Sequence, residues 1–155
     1  MPPASDLTAH TGYWLRMVSN AVSQDFARKV ADEGVTVAEW SFMRALYDAD
    51  AMAPSALAEK MGMTKGAISK LADRLLGKGL ITRADNPGDR RAHTLSLTGA
   101  GRSKVPILAA LADKNDAEYF GVLPTEEREM LHRLLRILAD RRGLKTTPVD
   151  CPSGP

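Results

Sequence analysis

Cysteine is nearly absent: Cys151 is the single thiol among 155 residues, which excludes an internal disulfide. No apolar run approaches the roughly 18 residues of a membrane span, so no membrane partner is expected. The opening MPPASDLTAH is polar and contains proline, unlike a secretory signal. These absences imply a cytoplasmic protein. Catalytic signatures are missing too, with no Ser/His/Asp order, no Walker-type phosphate loop and no dinucleotide fingerprint. The three histidines, His10, His93 and His132, lie far apart, whereas zinc sites draw on clustered His, Cys and carboxylates. No enzyme, no metal and no cofactor are therefore expected. Cys151, in a Pro/Gly-rich tail, is a poor place to tune a thiolate for oxidant sensing.

What is present is an uneven charge distribution. The net charge is only +2, yet from Lys60 to His93 eight Lys/Arg stand against three Asp/Glu. The rest of the chain holds thirteen against sixteen, so the basic charge is concentrated in one segment. Such a patch attracts phosphates and gives salt-dependent binding. Taken alone, it would better suit a solvated charged face, the usual reading of a charge run.

The pattern within that segment separates the two readings. Leu57, Ala58 and Met61 form a short apolar stripe at helical spacing, opened by Pro54, whose missing N–H costs nothing in a first turn. Gly62 follows where a helix ends with a residue at positive φ. Thr64 offers a hydroxyl to cap a second helix, Lys65 to Leu76. On that helix Ile68, Leu71, Ala72 and Leu75 share one face, and Gly66, Ser69, Lys70, Asp73 and Arg74 the other, with Lys65 at the margin. The polar face has no large apolar side chain to cover, and a helix of this width fits the major groove of B-DNA. Gly77 and Gly79 end it. Leu80 to Arg83 has strand character, Asn86-Pro87-Gly88-Asp89 is a turn signal, and His93 to Leu97 alternates with Leu95 and Leu97 on one side. Arginines at the hairpin tip suit the negative potential of the minor groove. The layout is a helix-turn-helix followed by a β-wing.

The run LAEKMGMTKGAISKLADRLLGKGLITR, followed by NPGDRRAHTLSLTGAG, resembles the winged-helix core of the MarR (multiple antibiotic resistance regulator) family of bacterial transcription regulators. The most specific piece is Asp89-x-Arg91 followed by Leu97-Thr98-x-x-Gly101. The flanking helices match in length and order, so the resemblance covers about residues 8 to 142. It implies a mainly α fold with a small β-wing, a winged helix-turn-helix with long N- and C-terminal dimerisation helices. It also implies that Arg91 enters the minor groove and that Asp89 is the carboxylate holding it. A small molecule, aromatic or anionic, is expected to loosen the grip on DNA from a cavity where the dimerisation helices meet the reading domain. Trp14, Arg16 and Met17 are expected to border that cavity, although plain core or dimer packing accounts for each singly. Trp40 either faces the pocket or packs in the core.

Around this unit the chain reads as further helices. Thr8 to Asp32 forms one, with an apolar stripe from Tyr13 to Val30. Val37 to Asp48 forms another, with Thr36 and Glu39 making a capping box. After Thr98, itself a cap, a helix runs from about Ala100 to Phe120, and Pro106 should kink it or mark its rigid start. Thr125 is expected to cap a last helix striped by Met130, Leu131, Leu134, Leu135 and Leu138. A monomer has little use for so much exposed leucine, and a homodimer built from the terminal helices explains it economically, as in the resembled family. A stripe folded back on its own subunit remains open. The expected division is residues 1–34, an N-terminal dimerisation helix; 35–98, the DNA-binding domain; 99–142, C-terminal dimerisation helices; and 143–155, a flexible tail.

The expected function is sequence-specific binding of double-stranded DNA by a dimeric repressor on a pseudo-palindromic operator. The alternative is a winged-helix protein–protein interaction module with little DNA affinity. Thr64, Lys65, Ser69 and Lys70 are expected to contact bases or phosphates. Arg74 suits a phosphate or a guanine edge. Ser55 and Arg90 are expected at phosphates.

Overall fold

The computed structural model describes residues 1–86 and 88–144, the side chains of Arg90 and Arg91 excepted. A 3-10 turn, Leu7–Ala9, precedes α1 (Thr11–Ala31). The single helix expected from Thr8 is thus broken, because His10 adopts an extended backbone at φ −97° and ψ 124°. Gly34 closes α1 with a left-handed step at φ 79°, letting the Val35 N–H return to the Val30 carbonyl at 3.2 Å.

The capping box then starts α2 (Val37–Tyr47). The Glu39 N–H donates to Thr36 Oγ1 at 3.1 Å, and the Thr36 N–H donates to Glu39 Oε1 at 3.0 Å. Pro54 opens α3 (Pro54–Met61) from the first turn, and Gly62 ends it at φ 65°. The N–H of Met63 returns to the Ala58 carbonyl, and Thr64 caps α4 (Lys65–Gly77).

An antiparallel pair follows, β1 (Ile81–Asn86) and β2 (Asp89–Leu97). β1 runs past Arg83, where the sequence pattern fades, because its backbone pairs along β2 from Ile81 opposite Leu97 to Asp85 opposite His93. Met52 adds a bridge to Leu95, with backbone bonds of 2.8 and 2.9 Å in both directions.

Thr98 accepts the Gly101 N–H at 3.1 Å and caps α5 (Gly99–Phe120). Pro106 neither starts nor ends this helix; it sits exposed on the solvent side within it. The last helix is α6 (Thr125–Arg141). Thr125 does not cap it, since Pro124 takes the cap position and no side-chain cap bond forms; Thr125 Oγ1 instead accepts from Arg128 at 3.4 Å.

The core lies between α2, α3, α4, the wing base and the first half of α5. Phe42, Met43, Leu46, Leu57, Ile68, Leu75, Leu95 and Leu108 are essentially sealed from solvent. Each such side chain contributes about 1.5–3 kcal/mol by its burial. α5 also packs along α1. Buried Asn115 accepts from Lys29 Nζ at 2.8 Å and donates to the Val22 carbonyl at 3.1 Å, and the Tyr119 hydroxyl donates to the Asp25 carboxylate. By contrast α6 has no buried residue: Met130, Leu134, Leu135, Ile137 and Leu138 are 40–60% exposed. Among the described residues no helix is long and apolar enough to cross a membrane.

Candidate nucleic-acid interface

The geometry begins with the turn between α3 and α4. Gly62 permits the tight reversal, and the Thr64 hydroxyl receives the Ala67 N–H at 3.1 Å, fixing where α4 starts. α4 then divides as its spacing dictates. Ile68, Leu71, Ala72 and Leu75 are buried, while Lys65, Gly66, Ser69, Lys70, Asp73 and Arg74 are exposed. The result is a bare polar ridge with three cations, Lys65, Lys70 and Arg74, and one carboxylate. Ser55 is exposed in the first turn of α3. Lys60, counted with the basic segment, is partly engaged elsewhere, its ammonium donating to the Ala45 carbonyl at 3.1 Å.

The wing stands beyond this ridge. Its register steps from Asp85 opposite His93 to Asn86 opposite Asp89, so the stretch holding Arg90 and Arg91 lies in a bulge near the tip. Asn86 Oδ1 accepts the Gly88 N–H at 3.1 Å, an Asx-type turn. Arg83 Nε lies 3.4 Å from Asp85 Oδ1. The expected contact between Asp89 and Arg91, and the reach of Arg90, fall on side chains outside the described residues, as does the tail from 145 with Cys151.

The four residues expected at an effector cavity are not brought together. Trp14 lines an apolar cleft of about 730 Å³ between α1, the end of α5 and α6, with Leu15, Val18, Phe120, Leu131 and Leu135. Trp40 lines a second cleft of about 350 Å³ between α1, α2 and α5, with Phe26, Val37, Asn115 and Asp116. Ser19, Val22 and Ser23 border both. Arg16 and Met17 are exposed and border neither. They lie about 160° and 100° around α1 from the centre of the lining formed by Trp14, Val18 and Val22, at roughly 100° per residue.

One feature near α4 escapes sequence reasoning. Glu39 is 1% exposed, and the Lys78 ammonium lies 3.0 Å from its Oε1 and 2.8 Å from its Oε2 while donating to the Gly34 carbonyl at 2.8 Å. The capping box accounts for Glu39 locally, but its partner is 39 residues away. Among the described residues no group of three His, Cys, Asp or Glu could hold a metal ion.

Comparison with known proteins agrees with this architecture. The MarR family model matches residues 35–93, from the start of α2 into the wing. The HTH-type transcriptional repressor MdtR of Bacillus subtilis is 30% identical over 127 residues, covering 82% of each chain. Among solved structures, BpsR of Bordetella bronchiseptica, whose DNA binding is regulated by 6-hydroxynicotinic acid, superposes with a TM-score of 0.75 at 24% identity, over 89% of this chain and 99% of its own. A variant of Escherichia coli MarR complexed with operator DNA gives 0.71 at 23% identity, over 82% of this chain and 91% of its own. At those identities the structural likeness speaks for the fold, and the sequence matches speak for the family. The chain belongs to the MarR family of winged-helix transcriptional regulators.

Proposed function

We propose that this regulator acts as a repressor, gripping a pseudo-palindromic operator as a homodimer with α4 of each subunit in a major groove. The observation that carries the reading is the ridge of α4. Lys65, Ser69, Lys70 and Arg74 stand exposed on a helix whose other face is anchored in the core. In this reading Thr64, Lys65, Ser69 and Lys70 meet bases or phosphates, Arg74 a phosphate or guanine, and Ser55 a phosphate. Arg90 and Arg91 serve the flanking backbone and minor groove, with Asp89 beside them. MdtR is named a repressor, and MarR of Escherichia coli was solved on its operator; both support carrying those roles over. In this reading the protein works in the cytoplasm, where its DNA target lies.

The dimer would be built by residues 1–34 and 99–142 around the reading domain, 35–98. Two features support it: α6 has no fully buried residue within its own subunit, and the cleft lined by Trp14, Leu131 and Leu135 is apolar and open. A second copy of the same helices would fill it and bury about 25 cal/mol of stabilisation per Å² of apolar surface removed from water. The Trp40 cleft, at the junction of α1, α2 and α5, is the proposed seat of a small aromatic or anionic effector. BpsR, which responds to such a molecule, supports the idea.

Fluorescence anisotropy with mixed genomic fragments at low salt tests the reading. Binding that weakens steeply as salt rises is expected. A dimer without DNA affinity under those conditions would leave a protein–protein interaction module instead.

A further inference from the structure

We propose that Lys78 is a positioning residue for DNA reading, one that fixes the attitude of α4 through the buried Glu39 without itself touching DNA. The inference rests on α4 being the reading helix. Glu39 is the one charged side chain buried among the described residues. Its Oε1 also accepts the Thr36 N–H, whereas Oε2 faces the Lys78 ammonium at 2.8 Å. With Glu39 sealed and Lys78 40% exposed, the pair adds little net stability, because desolvation of the carboxylate offsets an attraction that solvent screens at the lysine. What it supplies is direction. The ammonium donates to Glu39 Oε1 at 3.0 Å and to the Gly34 carbonyl at 2.8 Å, with Oε2 at ion-pair distance, and these acceptors belong to the turn after α1 and the first turn of α2.

Lys78 directly follows α4, and Arg74, on the exposed ridge, lies one turn earlier. The opposite end of α4 is set by the Thr64 cap. Its middle is held by Ile68, Leu71 and Leu75, whose packing is non-directional. The Lys78 tether is therefore a side-chain restraint on the C-terminal half of the ridge, beside the Thr98 hydroxyl's bond to the Gly79 carbonyl. The same corner is gripped from the other side. Lys104 of α5 donates to the Glu33 carbonyl at 2.8 Å, and its ammonium lies 3.6 Å from the Glu33 carboxylate. Residues 33–39 thus receive one lysine from the reading helix and one from the helix that runs toward the proposed dimer surface. A change in the corner would be passed to the angle of α4, and two such helices must meet grooves about 34 Å apart.

Glu39→Gln is the discriminating variant, because it removes the charge that holds Lys78 while leaving Lys78 free to meet a phosphate. An operator selected by the wild type, with copies lengthened or shortened by one base pair between half-sites, is titrated at fixed salt. The expected result is affinity for the selected operator about tenfold weaker, a flatter preference for spacing, and little change on random-sequence DNA. Lys78→Met should match it, and Lys78→Arg should recover most of the loss. If Lys78→Met weakens all DNA and lowers the salt slope by about one while Glu39→Gln does nothing, Lys78 is a phosphate contact and the inference is overturned. Wild-type affinity and spacing preference in both variants overturn it as well. Should Glu39→Gln fail to fold, Lys78→Gln replaces it, since that side chain is partly exposed, and an unchanged spacing preference is again contradictory. A wild type that selects no operator would remove the DNA reading itself, a different failure from variants that match a wild type that does bind.

Discussion

A methyl group added to Gly101 would lie 2.0 Å from the carbonyl oxygen of Leu80. That oxygen also accepts the Thr98 N–H at 3.1 Å, and the Thr98 hydroxyl donates to the Gly79 carbonyl at 2.7 Å. The start of α5 and the chain leaving α4 are therefore pressed backbone to backbone. Gly101→Ala has no flexible side chain to push aside and should destabilise the fold by about 1–3 kcal/mol, as overpacking does. The midpoint of urea unfolding checks this, and an unchanged midpoint would refute the close approach.

Thr64→Ala removes the hydroxyl that receives the Ala67 N–H. The expected loss is about 1 kcal/mol of stability, seen as a lower melting temperature. Thr64→Ser should restore it, because serine caps equally well. If operator affinity stays low in the serine variant while stability returns, the threonine also serves at the DNA.

Acid should expose one ion pair. Lys29 Nζ donates to Glu118 Oε2 at 2.9 Å, and this hydrogen bond holds the Glu118 carboxyl below its ordinary value of 4.5. A carboxyl with a depressed folded pKa contributes stability that is complete above its unfolded value and lost as pH falls through the folded one. Glu118→Gln should therefore lower the melting temperature slightly at neutral pH, the group being exposed, and match the wild type in acid below the folded value. Equal melting temperatures at both ends of a pH series would remove the pair from the account.

Lys70→Ala is expected to weaken operator binding and reduce the log–log salt slope by about one, the signature of a lost phosphate contact. Arg91→Ala should weaken binding while the dimer stays folded. A gel-shift series at several salt concentrations reads both. Unaltered slope for Lys70 would point to base contact or none, and unaltered affinity for Arg91 would take it off the interface.

Leu135→Lys places a charge in the cleft shared by α1, α5 and α6. The expected product is a folded monomer by sedimentation velocity, with operator affinity falling sharply. A variant that remains a dimer would move the subunit contact elsewhere.

The reading unit was legible because its determinants are local. Gly62 at positive φ, the Thr64 cap and the division of α4 into two faces each depend on neighbours a few residues away. The sequence pattern of β1 stops short because Ala84 to Asn86 become strand through pairing with β2, a contact that spacing within β1 does not encode. Thr125 lost its expected cap because Pro124, with its extended backbone, already occupies that position. The resemblance puts Arg16 and Met17 with Trp14 at one cavity, while the turn of α1 carries them to another side. The Glu39–Lys78 pair was hidden for the opposite reason: its halves lie in different helices, and each has an ordinary local role.

Selection of bound sequences from a random DNA pool tests the central claim most directly. The account predicts enrichment of a two-fold symmetric site whose half-sites are centred about one helical turn, roughly 34–36 Å, apart. No enrichment over the starting pool, or a single unsymmetric site, would contradict a dimer that reads DNA through paired copies of α4.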